Sequence, residues 1–169
     1  MNRAEASMVT AVEFRKGMRY LTGAVSIITT QSNGAPAGMT ATAVCSVCAD
    51  PPKLLICVNK DATSYPFIRG TGRFAVNVLS SEDIATAQGF SVGDMQSRFQ
   101  AGSWSRLTSG NLALQSSLVT FDCSLCDDIP VESHSIFIGR VEEVILRAKN
   151  TPLVYINGQF GHVVPRDNP

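Results

Sequence analysis

The chain has 169 residues, and its 14 lysines and arginines balance its 14 aspartates and glutamates, so the formal net charge is zero. This length predicts a single domain, residues 1–169, with a hydrophobic core of its own. Because no basic excess is available to release counterions from a phosphate backbone, nucleic acid is not an expected partner. Charged residues are 17% of the chain, against a usual share of about 25%, so we expect a subunit interface to cover part of the surface.

The N-terminal residues and the cysteines indicate where the protein works. Met1–Thr10 contains no apolar run typical of a signal peptide, and no stretch of the chain approaches about 18 consecutive apolar residues. The five cysteines are an odd number, and a chain of this length does not need disulfides for stability. We therefore expect a soluble, cytoplasmic protein with reduced thiols and no membrane partner.

A helix and a strand that leads into a hairpin are the first predicted elements. Apolar residues recur every three or four positions from Val12 to Leu21, with Thr10 placed to cap the helix and Gly23 beyond its end. Ala24–Thr30 is rich in β-branched residues and precedes Ser32-Asn33-Gly34, a hairpin-type turn. The first thirty-odd residues therefore predict a helix, a strand and a tight turn.

The segment that follows has an unusual composition for a strand. Gly38–Val47 is small and hydroxyl-rich, with few large side chains, which indicates that something approaches its backbone closely. Asp50-Pro51-Pro52 then interrupts the pattern. Leu54–Val58 is a short continuous apolar run, typical of a strand that is covered on both faces, and residues 59–63 form a loop.

Short helices alternate with strands in the middle of the chain. Thr63 or Ser64 is predicted to cap a short helix that reaches Ile68, since Pro66 is tolerated in a first turn. Gly70 and Gly72 are predicted to end that helix, and the next strand is predicted at 74–79. Ser81 is predicted to cap a second helix that runs to Gln88, and residues 89–110 are predicted to form a long loop.

The C-terminal part of the chain is predicted to form strands. Residues 118–125, 135–146 and 153–156 are β-branched or aromatic runs, with a turn signal at Asp127–Pro130, and Asn157-Gly158 opens a hairpin into residues 160–164. Six or more strands with two or three short helices predict a mainly β (α+β) fold, an antiparallel barrel that is closed or half-closed.

Two CxxC pairs, Cys45/Cys48 and Cys123/Cys126, have the spacing of a four-thiolate zinc site. Both pairs fall in predicted strands, where residues i and i+3 point to opposite faces, so their thiols do not converge on one metal ion. We expect no metal, and we expect these cysteines and Cys57 to be buried as small hydrophobic residues.

Familiar nucleophilic and nucleotide-binding motifs are missing from the sequence. His134 and His162 are the only histidines, and neither their spacing nor a helix N-terminus favours an activated cysteine. No serine nucleophile elbow, P-loop or GxGxxG fingerprint is present. If a nicotinamide cofactor binds, it does so without a Rossmann unit.

One pair of segments points to a ligand. The helix start after Asn59 offers Lys60, Thr63 and Ser64, which suit a phosphate, while the small-residue strand at 38–47 suits a flat ring. The same features have an ordinary reading, because serine and threonine are common in edge strands and a cap needs no ligand. The residues alone leave both readings open.

Five runs along the chain resemble one family. GMTATAVCSVCADPP at 38–52, LLICVNK at 54–60, RFAVNVL at 73–79, HSIFIGRV at 134–141 and PLVYING at 152–158 are similar to the short-chain flavin reductases, the reductase components of two-component flavin monooxygenases such as 4-hydroxyphenylacetate 3-monooxygenase. The likeness spans Phe14 to Gly161. It implies an FMN-binding split barrel, antiparallel and Greek-key-like with a few short helices, and a homodimer.

The resemblance also implies a set of site residues. Five residues would line the flavin ring, with two more close by: Thr40, Ala41, Thr42, Ala43 and Val44, then Ser46 and Val47. The ribityl chain and phosphate would lie at Lys60, Asp61, Ala62, Thr63 and Ser64. His134 matches the catalytic histidine on the nicotinamide side and Tyr155 an aromatic position beside it, while Arg98, with Gly93 and Asp94, matches a less regular flavin contact.

The implied activity is hydride transfer from NADH or NADPH to FMN or FAD, with electrons passing to a partner monooxygenase. Three alternatives remain at this point. Similar proteins reduce the cobalt of a corrin precursor in cobalamin synthesis, and a flavin-binding protein without turnover would share the site, although His134 argues against it. A relative of the pyridoxamine-phosphate oxidases would need arginines around the phosphate, and residues 59–64 contain none.

Overall fold

Twelve strands and four helices form the part of the chain that the structure, a computed structural model, describes: residues 9–92, 94–147 and 151–164. The expectation that Met1–Thr10 contains no signal peptide therefore concerns mostly residues outside the described part of the chain. In chain order the elements are α1 (Ala11–Met18), β1 (Gly23–Ala24), β2 (Ser26–Ser32), β3 (Ala35–Ala41), β4 (Val44–Ala49), β5 (Pro52–Asn59), α2 (Tyr65–Thr71), β6 (Arg73–Val78), α3 (Ile84–Ser91), α4 (Met95–Arg98), β7 (Trp104–Arg106), β8 (Leu112–Leu114), β9 (Val119–Val131), β10 (His134–Leu146), β11 (Leu153–Ile156) and β12 (Gln159–His162).

Seven strands form one antiparallel sheet in the order β3-β2-β6-β9-β10-β5-β4. Its two edges, β3 and β4, are separated in the chain only by Thr42 and Ala43. A sheet whose opposite edges are joined by two residues must curl round on itself, and the Cys57 N–H fastens the join by donating to the Ala43 carbonyl at 3.1 Å. The predicted mainly β, antiparallel, half-closed barrel is confirmed.

Alternate residues of these strands fill the barrel. Phe74, Phe137 and Ile56 are fully buried there, and Gly139 of β10 faces the Phe74 ring. The strand face that points inward is apolar, as the two-residue period of a half-buried strand requires. The barrel therefore has a packed core, and any ligand site must lie on its outside or at its ends.

A second core lies outside the barrel, beneath α3. Its buried members include Ile27, Phe90, Leu114 and Leu153, which join α3 to β2, to β8 and to the small sheet β1-β11-β12. Phe90 makes an edge contact with Phe99 at 4.9 Å between ring centroids. This packing fixes α3 and the chain after it against the outer side of β3.

The predicted first helix is present but shorter than the periodicity suggests. Thr10 does cap it, since its hydroxyl oxygen accepts the Glu13 N–H at 3.2 Å. The Thr10 hydroxyl and N–H in turn donate to the Glu13 carboxylate, at 2.7 and 2.9 Å, and lower the pKa of that carboxyl. The helix ends at Met18, and Gly23 belongs to a strand instead of a helix end. The Asn33-Gly34 turn is confirmed, with both residues at positive φ.

The two segments around the barrel's join differ from the expectation. The strand predicted over 38–47 is broken at Thr42 and Ala43, because the chain crosses there from one edge of the curled sheet to the other. The run Leu54–Val58 lies inside β5 but is not covered on both faces: Leu55 and Cys57 are only half-buried. A continuous apolar run does not distinguish a doubly covered strand from one with an apolar outer face.

The helix boundaries after β5 were also predicted imperfectly. Ser64 stands at the N-cap of α2, but no side chain makes a capping hydrogen bond there, and Gly70 lies inside the helix, which ends at Gly72. Helix α3 begins after Asp83, whose carboxylate accepts the Ser80 N–H at 2.9 Å, so Ser81 is not the cap.

The longest predicted loop, 89–110, contains the end of α3, all of α4 and β7. The turn predicted at Asp127–Pro130 is instead part of β9, and the chain reverses at Glu132, whose φ is 43°. The alternation of side chains along a long hairpin outweighs the local turn preference of Asp and Pro.

Cysteine burial was predicted correctly for one thiol. All five cysteines are free. Cys123 is buried, and desolvation raises the pKa of its thiol to about 12, whereas Cys45, Cys48 and Cys126 are exposed and Cys57 is half-buried. Within the described ranges, no three His, Cys, Asp or Glu side chains lie close enough to hold a metal ion.

Candidate active site

Residues 40–47, the ring segment, connect the two edges of the barrel. Ala41 is buried, whereas Thr42, Ala43, Ser46 and Val47 are exposed and present small side chains and backbone to the surface. A flat aromatic ligand needs this kind of surface, because large side chains would hold it away from the backbone.

The first residue of the ring segment has another role. The Thr40 hydroxyl donates to the Ala87 carbonyl at 2.8 Å, which ties β3 to α3. Its side chain therefore serves the packing beneath α3, while Thr42 and the residues after it form the open surface.

Residues 60–64, the phosphate loop, follow β5 directly. The Asn59 side chain shapes it by accepting the Asp61 N–H at 2.9 Å, and the Lys60 ammonium donates to the Glu132 carbonyl at 2.6 Å. The Ser64 hydroxyl oxygen is buried and has no hydrogen-bond partner. A buried hydroxyl without a partner costs about 1–3 kcal/mol, so its position indicates a group that is absent from the protein alone.

Arg98 brings the phosphate loop and β3 together. One guanidinium nitrogen, Nη1, donates to the Gly38 carbonyl at 2.9 Å and to the Thr63 hydroxyl at 3.3 Å. Gly38 itself leaves no room for a side chain, since a Cβ there would lie 2.8 Å from both the Ile28 carbonyl oxygen and Phe90 Cε1. Asp94 accepts the Ser97 N–H at 2.9 Å, at the start of α4. Gly93 lies outside the described residues.

His134 lies at the other side of the phosphate loop. It pairs with Asn59 across the β5–β10 ladder, and its Nδ1 lies 2.8 Å from the Ser133 hydroxyl. The Ser133 carbonyl in turn accepts the Lys60 N–H at 2.9 Å. The structure thus places His134 at the end of the β5–β10 ladder, next to the start of the phosphate loop.

Two cavities open beside the ring segment. One, of about 730 Å³, lies between α3 and the β11–β12 hairpin, and the other, of about 840 Å³, lies between α1 and the start of β4. Thr42 and Tyr155 line both cavities, so Tyr155 lies beside the ring segment. The Asn157 N–H holds this hairpin against α1 by donating to the Arg19 carbonyl at 2.6 Å.

Sequence reasoning missed several of the cavity residues. Gln88 and Gln159 add amide groups to the first cavity, and Phe14 and Met18 of α1 form an apolar wall of the second. The amides carry no local signal in the sequence. The apolar period of α1 is visible there, but it indicates only that the helix packs against something.

The charges around the site suit an anionic ligand tail. In and around the phosphate loop, Lys60 and Arg98 are cations, Asp61 is an anion, and the hydroxyls of Thr63 and Ser64 supply neutral donors. The ring segment itself carries no charged residue. The arrangement therefore suits a molecule with a flat uncharged ring and a phosphate, which FMN is.

None of the helices in the described ranges is long and apolar enough to cross a membrane.

Comparisons with known proteins agree with this geometry. A family model described as a flavin reductase like domain matches residues 18–163. FMN reductase (NADH) RutF of Methylorubrum extorquens is 38% identical over 167 residues, which are 98% of this chain and 82% of that protein.

Two solved structures extend the likeness to the fold. SgcE6 of Streptomyces globisporus, an NADH:FAD oxidoreductase in complex with NAD and FAD fragments, is 25% identical with a TM-score of 0.87, over 93% of this chain and 94% of that chain. BorF, the flavin reductase component of a bacterial two-component tryptophan halogenase, is 27% identical with a TM-score of 0.85, over 93% of this chain and 100% of that chain.

Proposed function

Since the chain belongs to the family of flavin reductase-like domains, we propose that it is an enzyme that transfers a hydride from NADH to FMN. The observation that carries this proposal is the buried Ser64 hydroxyl without a partner, in a loop with Thr63 and Lys60. It supports a bound phosphate there, with the flavin ring extending along the exposed part of the ring segment.

A bound flavin would supply the redox chemistry, a two-electron reduction with one proton from water, for which NADH would provide the hydride and leave as NAD⁺. The residues of this chain bind and orient. Thr63, Ser64 and Lys60 hold the phosphate, and the small side chains at Thr42 and Ala43 let the ring lie against the backbone. Holding two rings in contact replaces a bimolecular encounter, which accounts for much of the rate without an acid or base.

Replacing His134 with alanine tests its place in this mechanism. We expect turnover to fall roughly three- to tenfold, well below the 10²–10⁴-fold effect of a lost general acid or base, because the histidine orients the nicotinamide and no strong acid is required. The affinity for FMN should stay within twofold, as measured by fluorescence titration. His162→Ala, on exposed β12, is the matched control; equal rates in the two variants remove His134 from the mechanism.

The proposed reaction has a direct test. FMN is added to the purified protein without oxygen, and its absorption spectrum is recorded before and after NADH is supplied. We expect FMN to bind and its visible absorption to bleach at a rate far above that of the two cofactors alone, and more slowly with NADPH or with FAD. Flavin that binds and stays oxidised identifies a binding protein without turnover, and a failure to bind any flavin overturns the proposal.

We further propose that the protein is a cytoplasmic homodimer and that its reduced flavin passes to a separate monooxygenase. BorF is the reductase component of a two-component system, and five free thiols suit a reducing compartment. A monooxygenase supplied with this reductase and NADH should hydroxylate its substrate at the rate of flavin reduction. A cobalt corrin reduced faster by the protein than by free reduced FMN would point instead to cobalamin synthesis.

A further inference from the structure

A β-bulge in β4 brings two thiols to one face of the barrel sheet. Cys45 lies opposite Leu55 and Cys48 lies opposite Lys53, and the register between these two pairs shifts by one residue at Val47. In a regular strand, residues i and i+3 point to opposite faces, so the spacing of this pair predicted thiols that diverge. The extra residue of a bulge reverses the alternation. Because Leu55 and Lys53 are two positions apart on β5, Cys45 and Cys48 share one face.

This face is the outside of the barrel, and both thiols reach solvent there. Leu55 is only half-buried, whereas its two neighbours on β5 are buried in the barrel core. Cys45 and Cys48 are exposed and free. The Cys48 thiol donates to the Pro51 carbonyl at 3.0 Å, and the Cys45 thiol donates to the Ser46 carbonyl at 3.3 Å. Since a thiol is a weak donor, either side chain can rotate away from its contact at low cost.

The spacing along β4 is close to what a disulfide needs. Successive residues on one face of a strand are about 6.6 Å apart, and the Cα atoms of disulfide-bonded cysteines usually lie about 4.4–6.8 Å apart, most often about 5.5–6 Å. A bond between Cys45 and Cys48 therefore requires β4 to contract slightly across the bulge. The contraction must displace the two exposed residues between the sulfur atoms, Ser46 and Val47, which the family resemblance places close to the flavin ring.

Lys53 gives the pair electropositive surroundings. It lies directly opposite Cys48 on β5, where the side chains of an antiparallel pair are neighbours, and Arg140 lies opposite Lys53 on β10. Among the described residues, Lys53 forms no ion pair, and Arg140 pairs with Glu142. The acidic residue closest to Cys48 in the chain, Asp50, belongs to the turn after β4. Cysteines that peroxide oxidises are typically exposed and have cations of this kind beside them.

We propose that Cys45 and Cys48 are a site of oxidation by hydrogen peroxide and that the disulfide between them weakens FMN binding. The source of the oxidant rests on the proposed function, because hydrogen peroxide forms when O₂ reoxidises reduced flavin that no oxygenase has taken up. Formation of the disulfide thus slows flavin reduction when its product is not consumed. A thiol such as dithiothreitol reverses the change by exchange.

The oxidation balances in two steps. The Cys48 sulfur attacks one peroxide oxygen and the O–O bond breaks, so a sulfenic acid forms and the thiol proton leaves with the departing hydroxide as water. The Cys45 sulfur then attacks the sulfenic sulfur, the S–S bond forms, the S–O bond breaks and a second water leaves. Two thiols and one hydrogen peroxide become one disulfide and two waters.

Peroxide treatment of the reduced protein, without flavin or NADH, tests the site itself. We expect an equimolar amount of hydrogen peroxide to leave three of the five free thiols open to alkylation, since one disulfide consumes two. The mass of the single chain should fall by about 2 Da, and peptide mapping should find the bond between Cys45 and Cys48. Cys45→Ser should stop at a sulfenic acid on Cys48, which dimedone labels. Cys126→Ser, which removes an exposed thiol of β9, is the matched control and should form the disulfide as the wild type does.

Fluorescence titration with FMN measures the consequence of the bond. We expect the dissociation constant for FMN to rise about fivefold or more on oxidation and to return after dithiothreitol, whereas in Cys48→Ser peroxide should leave it unchanged. The inference is wrong if no bond forms between Cys45 and Cys48, if the bond joins two chains, or if both forms bind FMN alike. A protein that reduces FMN with NADH but forms no such bond refutes the inference and leaves the proposed function intact. A protein that forms the bond and then binds FMN less tightly, but never reduces FMN with NADH, supports the inference and defeats the function.

Discussion

Gly139→Ala is expected to lower the free energy of unfolding by about 3 kcal/mol, because the added methyl group overpacks the barrel core. A Cβ at Gly139 would lie 2.5 Å from Phe74 Cζ and 2.9 Å from Cys123 Cβ. Phe74 is fully buried, and the Cβ atoms of Cys123 and of the new alanine are fixed to the backbone, so no change of rotamer separates them. Relief requires a shift of the Phe74 ring or of β10 against its neighbours, and either change disturbs the packing of the barrel core.

Urea unfolding of the two proteins measures this difference. Gly70→Ala is the matched control, because nothing lies within 4 Å of a Cβ there and the position is inside α2. Alanine should stabilise that helix by about 0.5–1 kcal/mol. If Gly139→Ala and the wild type unfold at the same urea concentration, the barrel is less tightly packed at β10 than the structure indicates.

Features that depend only on neighbouring residues, such as helix starts and tight turns, were predictable from the sequence. Thr10 with Glu13 three residues later signals a helix start, and Asn33-Gly34 signals a hairpin, because each depends only on neighbours in the chain. The break in the ring segment is different. It exists because β3 and β4 are opposite edges of a curled sheet, and the order of strands in a sheet is not a property of any local stretch.

The candidate site shows the same division. Lys60, Thr63 and Ser64 could be singled out as candidates for a phosphate site from a predicted helix start, beside the ordinary reading of a helix cap, but neither hydroxyl caps α2. Arg98 lies 35 residues after Thr63 in the chain, and the two meet only because α3 and α4 fold back over β3. Its place at the site came from the family resemblance and could not be deduced from spacing.

The unpartnered Ser64 hydroxyl has two opposite consequences that can be measured separately. Without ligand it costs stability, since a buried donor lacks an acceptor, and with ligand it can donate to a phosphate oxygen. A residue of this kind destabilises the free protein in favour of binding, as is common in functional sites. Ser64→Ala should therefore raise the free energy of unfolding of the flavin-free protein, by about 1 kcal/mol.

The double variant with Thr63→Ala and Ser64→Ala should weaken FMN binding about 10²- to 10⁴-fold, because each of the two hydrogen bonds lost to a charged phosphate contributes about 1.5–3 kcal/mol. The affinity for riboflavin, which has the same ring and no phosphate, should fall less than about threefold, because its contacts lie along the ring segment. Thr108→Ala, an exposed threonine away from the site, controls for loss of a hydroxyl. Fluorescence titration of both ligands measures this difference. An equal loss of affinity for FMN and for riboflavin would mean that the phosphate lies elsewhere and that the Ser64 hydroxyl has no part in binding flavin.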